Sequence, residues 1–230
     1  MPDTSISELK RFAHDGPFAD IFTALQAHYL FQVIGEHAEL IESSTYQPVF
    51  ATFQTYASDS FVLAVTRLLE PQGPRFPLQS MPGVLAFLRQ HADQIPLREP
   101  VFLQQAMERL REWPRLASLG GSDLTRAAVD VLLDRAPRHQ ENHALNTLRT
   151  LRDKRIAHPE RVSIESLPST TWESALSLLK VPTEALAVVG AYTSEAYVDA
   201  DGALLILNDP KRAGFAALRV LRALGVVPPR

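Results

Sequence analysis

The chain has 230 residues, including 10 Gly, 17 Pro and no Cys, and its formal net charge is −3. The lack of cysteine excludes disulfides, thiol nucleophiles and Cys-ligated metal sites, and the charge excludes a general basic field that attracts nucleic acid. Leu and Ala are abundant and favour helices, so the composition predicts an all-α protein with a single domain, residues 1–230. We see neither a secretory signal nor an apolar stretch near the roughly 18 residues that span a bilayer, so we expect a cytoplasmic protein with no membrane partner.

Apolar residues at helical spacing, together with Pro, Gly and capping residues, predict a series of helices in chain order. The predicted segments are 16–43, 48–70, 82–92, 98–117, 122–135, 137–157, 170–198 with an interruption near 181–182, and 209–224. The apolar run 203–207 predicts a short extended piece. The simplest architecture is a helical bundle with long antiparallel helices, an inserted region of shorter helices at about 75–135 and a helical extension from about 200.

Several chemistries are excluded by motifs that the sequence lacks. There is no P-loop, no G-x-S-x-G elbow, no H-E-x-x-H and no Glu-x-x-His pair of the di-iron bundles. His139 and His143 are spaced to share one helix face and to chelate a divalent ion, but no third ligand is evident. We therefore predict no metal site and no cofactor, and interpret this pair as part of a solvated first turn.

The segment 148–159 carries the main functional signal. When it is projected on a helix, an arc of Ala and Leu residues also contains Arg152 and Arg155. The other charged residues point away from the centre of this arc: Arg149, Asp153 and Lys154. An arginine within an apolar arc must reach a partner, extend to the edge of the apolar surface or line a polar cleft.

His158 directly precedes Pro159, which disfavours helical geometry at His158 and predicts that the helix ends there. The negative end of the helix dipole then favours the protonated imidazole and brings its titration close to neutral pH. From Arg138 to Arg161 there are six cations and three anions, so this segment has a local charge of +3 that suits phosphate binding.

Arg152-Asp153, four further residues and His158, near the end of a bundle helix, resemble the signature of the HEPN superfamily. The wider layout is similar to the abortive-infection, AbiU-type branch of that superfamily. The shared features are a long first helix, a second helix of the ATFQTYASDSFVLAVTRLLE type, the LRDKRIAHPE segment and a helix start at Trp172-Glu173. The resemblance covers about two thirds of the chain.

This resemblance implies an all-α bundle that forms a twofold homodimer, with Arg and His of both protomers facing a shared cleft. Many members are metal-independent endoribonucleases that act on RNA as toxins or in antiphage defence, with an antitoxin or another protein as partner. By the same resemblance, Arg152 contacts the scissile phosphate, Asp153 orients neighbouring groups, and His158 is the general acid or base. The remaining cations are candidate RNA-phosphate ligands: Arg149, Lys154 and Arg155.

A structural interpretation stays open beside the catalytic one. Arg152 could form an ion pair with a carboxylate of a neighbouring helix, for example Asp59, and His158 could be an ordinary helix C-cap. The protein would then be a non-catalytic helical module for dimerisation and interaction. The catalytic interpretation predicts that Arg152 and His158 line an open cleft, whereas the structural one predicts that intramolecular partners hold them.

Overall fold

The computed structural model describes residues 2–71, 79–137, 141–157, 168–199, 201–203 and 209–228. The helices are α1 (Pro2–Ala13), α2 (Ala19–Glu36), α3 (Ala38–Glu42), α4 (Gln47–Leu68), α5 (Met81–Gln90), α6 (Pro100–Arg109), α7 (Trp113–Leu116), α8 (Gly121–Arg135), α9 (His143–Leu151), α10 (Trp172–Ser177), α11 (Lys180–Thr193) and α12 (Arg212–Ala223). Two segments are π-helical, His14–Phe18 and Arg152–Ala157. The predicted all-α fold is confirmed.

The first long helix begins earlier than predicted. The expected start at Gly16-Pro17 is wrong, because the chain is already helical from Pro2. Apolar residues at helical spacing are buried on this added part: Ile6, Leu9 and Ala13. A π-helical segment accommodates Pro17 and joins α1 to α2 without a break. Gly16 packs so closely on the chain before α5 that a Cβ would lie 2.0 Å from the carbonyl oxygen of Gln79.

The main hydrophobic core surrounds α11, where every residue from 184 to 193 is buried. Helices α1, α5, α6 and α8 pack against it, so the region predicted as an insertion contributes to the same core. An ion pair reinforces this packing, since Arg109 of α6 donates to both carboxylate oxygens of Glu184 at 2.8–3.0 Å. Helices α2 and α4 pack along each other on the other side of the core, and α9 contacts α4.

Two predicted helices in the middle of the chain have different bounds. The segment 98–117 is interrupted at Arg111, whose φ of 60° breaks the helix and separates α6 from α7. The helix expected from 137 begins only at His143, because the side chain of Asn142 accepts the N-cap hydrogen bond of that helix. The bounds of α4, α5 and α8 agree with the predictions within two residues.

The helix predicted from 170 begins slightly later. Thr171 is the N-cap of α10, and its hydroxyl accepts a hydrogen bond from the backbone N–H of Ser174 at 3.2 Å. The interruption occurs at 178–179 instead of 181–182, and α11 ends at Thr193 because the next residue is left-handed. The stretch Trp172–Thr193 is long and apolar enough to cross a membrane by length and composition, but 67% of it is buried inside the fold, as in a core helix of a globular protein.

The last helix, α12, packs on α2. A second, smaller apolar cluster joins it to the α2–α4 pair: Ile34, Ile41, Phe50, Leu221 and Val227. The chain turns at Asp201-Gly202, with a φ of 84° at the glycine. The predicted extended piece lies outside the described residues after Ala203.

Candidate functional site

The segment with the main sequence signal forms a π-helical continuation of α9. Helix α9 packs on α4, and the segment Arg152–Ala157 extends from its last residue. Arg152 contacts Glu70 just after the end of α4, whereas Arg155 contacts Asp59 nearer its middle, so the two elements run antiparallel. π-Helical turns within longer helices frequently mark functional sites. His158 lies outside the described residues, so the structure places only the arginine half of the predicted pair.

The guanidinium of Arg152 is held between two carboxylates. Its Nη1 donates to Glu70 at 3.0 Å, and its Nε donates to Asp153 at 2.8 Å. The hydrogen bonds that Arg152 donates to Asp153 and Glu70 raise its pKa, although partial burial opposes them. The side chain keeps 27% of its surface exposed, so it is oriented and still reachable from solvent. Asp153 therefore does contact Arg152, as an orienting residue would.

Arg152 lines an open cleft of about 880 Å³, which we call the Arg152 cleft. Its wall comes from α1, the first π-helical segment, the end of α4 and the residues before α5. Six charged side chains line it, three of each sign: Glu8, Arg11, Asp15, Arg67, Glu70 and Arg152. Both π-helical segments reach this cleft, since Asp15 and Gly16 belong to the first and Arg152 to the second.

Arg67 and Glu70 are residues of the cleft that the sequence interpretation missed. Arg67 pairs with Asp20, which is fully buried, while 69% of the Arg67 side chain is exposed toward the cleft. Burial raises the pKa of Asp20, and the hydrogen bond from Arg67 partly opposes this effect. The sequence signal that could have found them was their position, because both lie at the end of a predicted helix, just before the Pro-rich sequence 71–77.

Arg149 is more enclosed than the helical projection predicted. Only 12% of its side chain is exposed, and its Nη2 donates to the backbone carbonyl of Leu69 at 3.1 Å. It also lies 3.8 Å from a carboxylate oxygen of Glu70. Its Nε is buried without a hydrogen-bond partner in the part of the chain that is described. This position at the C-terminal end of α4 is that of a helix-capping cation.

The other two candidate phosphate ligands lie nearer the surface. Lys154 is exposed on the π-helical segment. Arg155 keeps 37% of its side chain exposed and lies 3.4 Å from Asp59. The structural interpretation of the sequence had named Asp59 as an example of a partner for Arg152. The carboxylate that Arg152 meets is instead Glu70, because Arg152 lies near the end of α4 and Arg155 near its middle.

Arg155 lines a second, smaller cavity of about 270 Å³ between α2, α4, α9 and α10. We call it the Trp172 pocket. Trp172 at the start of α10 packs against three rings, with centroid distances of 4.8 Å to Phe61, 4.9 Å to Phe31 and 5.1 Å to His28. Burial lowers the pKa of His28, and its Nδ1 has no hydrogen-bond partner among the described residues. His28 is therefore a neutral packing residue behind the indole.

One of the two histidines of the predicted pair lies in the described part of the chain. His143 is the first residue of α9, whereas His139 lies outside the described residues. Within the described ranges, no group of three or more His, Cys, Asp or Glu side chains is arranged to hold a metal ion.

A comparison with protein families gives a match over most of this architecture. The family model HEPN AbiU2, described as AbiU2, matches residues 10–190, which extend from α1 to α11. The match includes the π-helical segments, the position of His158 and every lining residue of the Arg152 cleft except Glu8. No match was found among curated proteins or among solved structures.

Proposed function

The chain belongs to the HEPN AbiU2 family of abortive-infection proteins, and we propose that it is a metal-independent endoribonuclease whose active site is the Arg152 cleft. The observation that carries this proposal is the placement of Arg152, an oriented and solvent-reachable guanidinium in an open cleft. His158 follows six residues later and lies within the family match. Together they would supply a cation for the phosphate and a group that transfers protons near neutral pH.

The chemistry needs no group beyond those that the chain and RNA provide. The 2′-hydroxyl of RNA attacks the adjacent phosphorus, a P–O bond forms, and the bond from phosphorus to the 5′-oxygen breaks. Two protons move, because one leaves the 2′-hydroxyl and one reaches the departing 5′-oxygen. His158 is the group proposed to transfer one of them, and solvent water exchanges the other. Arg152 stabilises the negative charge that develops on the phosphoryl oxygens, and a guanidinium suits this role because it presents several N–H donors in one plane.

Glu70 and Asp153 are proposed as positioning residues. They contact Nη1 and Nε of Arg152, which are two of the five N–H positions that a guanidinium offers. An arginine held in this way loses less side-chain freedom when it meets a phosphate. Lys154 and Arg155 extend the cationic surface on the same segment, whereas the enclosed position of Arg149 favours a structural contribution.

We propose that the active form is a cytoplasmic homodimer, with an antitoxin or another protein as a further partner. An exposed apolar stripe on α4 supports an interface between copies. Its members repeat at intervals of three, four and seven residues: Val49, Phe53, Tyr56 and Leu63, exposed by 49%, 42%, 64% and 44%. Leu63 also lines the Arg152 cleft, so a copy docked on this stripe would reach the edge of the site.

A second candidate function is a non-catalytic interaction module of the same family. The observation in its favour is that Arg152 is bonded to two carboxylates of its own chain. The exposed stripe on α4 serves this candidate equally well, because it needs a docking surface and no chemistry.

The deciding experiment is cleavage of total RNA and of transfer RNA by the purified full chain in the presence of EDTA. We expect cleavage that survives the chelator and falls by at least about 100-fold in Arg152→Ala and in His158→Ala. Arg115→Ala is the matched control, since it removes an arginine whose side chain is 77% exposed on α7. Placing a 2′-deoxy sugar at the mapped cleavage position should block the reaction, because the proposed nucleophile is then missing.

The opposite results would be equally clear. Cleavage that EDTA abolishes, or that both variants retain, would refute the proposed site. If the wild-type protein is folded and cleaves neither RNA sample, the non-catalytic module becomes the better description.

A further inference from the structure

The Trp172 pocket combines an aromatic wall with polar groups at its mouth. Phe31, Phe61 and Trp172 are the rings that line it, and Leu148 and Leu151 of α9 extend the apolar surface. Its volume of about 270 Å³ lies just below the range of about 300–1,000 Å³ that drug-sized ligands occupy. The pocket therefore suits a single flat ring system.

The polar groups on the lining suit the edge of a nucleobase. Ser58 of α4 and Thr170 before α10 contribute hydroxyls, which can donate or accept hydrogen bonds. Arg155 also lines the pocket, and 37% of its side chain is exposed. A flat heteroaromatic ring with hydrogen-bonding edges and an attached anion is the ligand chemistry that matches all three features, and a nucleotide has that composition.

The position of the pocket links it to the Arg152 cleft. Arg152 and Arg155 are three residues apart on one π-helical segment, yet the first lines the cleft and the second lines the pocket. From 149 to 155 the segment has four cations and one anion, so its surface favours a phosphate chain. This favours an RNA strand over a peptide side chain as occupant.

We propose that the Trp172 pocket binds an unpaired base of single-stranded RNA, next to the phosphate that Arg152 contacts. This inference rests on the proposed function for the role of Arg152, and it adds that the substrate is single-stranded at this position. A base within a duplex is stacked and paired, so it cannot enter a pocket between helices. The pocket would thus select loops and single strands over duplex RNA.

The test is a binding measurement that does not depend on cleavage. The chain has two Trp residues, so a Trp113→Phe protein has Trp172 as its only tryptophan and its fluorescence reports on the pocket. The probes are short 2′-O-methyl oligonucleotides, which lack the free 2′-hydroxyl required for cleavage. We expect single strands to quench Trp172 fluorescence and the matching duplex to leave it unchanged.

Substitutions inside and outside the lining of the pocket locate the binding site. Ser58→Leu fills the pocket and should weaken binding of the single strand at least about tenfold, as expected when a stacked base is excluded. Ser177→Leu makes the same change on α10, at an exposed position outside the lining, and should leave binding unchanged. Arg155→Gln, at a partly exposed position, should also weaken binding, and it provides a second reading if Ser58→Leu fails to fold.

Each alternative result has a defined meaning. The proposal is overturned if single strands do not quench Trp172, or if neither Ser58→Leu nor Arg155→Gln weakens the quenching. Quenching by adenosine monophosphate as strong as by the oligonucleotide would assign the pocket to free nucleotides and overturn the assignment to RNA. If the oligonucleotide results hold and the native protein cleaves no RNA, the pocket stands as an RNA-binding site and only the proposed catalytic function fails.

Discussion

Replacing Arg149 by Leu should lower stability without removing a substrate contact. Its hydrogen bond to the carbonyl of Leu69 joins a charged donor to the C-terminal end of α4, and such a bond contributes about 1.5–3 kcal/mol. The favourable interaction of a cation with the helix dipole adds about 0.3–1 kcal/mol. Leu preserves most of the apolar packing of the side-chain stem, so the expected cost is about 2–4 kcal/mol. For a domain of this size that is a decrease in Tm of roughly 4–16 °C.

Thermal unfolding followed by circular dichroism measures this decrease, and Lys154→Ala is the control. Lys154 is exposed on the following segment, so its loss should change stability by no more than about 0.5 kcal/mol. RNA cleavage by Arg149→Leu, measured well below its unfolding transition, should stay close to wild type. An unchanged Tm together with lost cleavage would show that Arg149 contacts RNA, and the structural reasoning would be wrong.

Two further predictions concern buried ionisable groups. Burial lowers the pKa of His28 from its ordinary value of 6.5, so the unfolded chain binds this proton more readily and stability is lost as the pH falls below about 6.5. His28→Leu should therefore show a smaller decrease in Tm between neutral and mildly acidic pH than wild type, and equal decreases would contradict this. Arg109→Met leaves the carboxylate of Glu184 buried and should cost about 3 kcal/mol in chemical denaturation, whereas the double variant with Glu184→Leu should recover most of that loss. A double variant no more stable than Arg109→Met would refute the ion-pair explanation.

The fold was largely predictable because its helices carry their own local signals. Helix α4 has Pro48 in its first turn, and its buried stripe repeats at helical spacing, so its bounds agreed closely with the prediction. The predicted start of the first helix was wrong. A proline is typical of the first turn of a helix, whereas here a π-helical turn allows Pro17 inside the helix. Such a turn depends on tertiary contacts, here the close approach of Gly16 to Gln79, and these are invisible in a local pattern.

The sequence predicted the residue types of the candidate site better than the partners that these residues contact. The helical projection placed Arg152 and Arg155 on the inner face, and in the structure Arg155 contacts Asp59 of α4 while Arg152 contacts Glu70 just after the end of that helix. It misplaced Arg149, because a projection of one helix does not show that the backbone carbonyl of Leu69 lies within reach of Nη2. The choice between Asp59 and Glu70 as partner of Arg152 depends on how α9 is aligned along α4, which the sequence does not encode locally.

The two carboxylates at Arg152 do not by themselves separate the catalytic from the structural interpretation. A buried arginine that only stabilises the fold needs a partner, but so does a catalytic arginine, since an oriented guanidinium meets a phosphate at a lower entropic cost. What distinguishes the two is the space in front of the guanidinium, since the exposed fractions are close, 20% for Arg109 and 27% for Arg152. Arg109 is covered by the turn at Gly202, whereas Arg152 lines a cleft of about 880 Å³. An ion pair built only for stability has no need of the cleft, and this is why the geometry favours a site that receives a substrate.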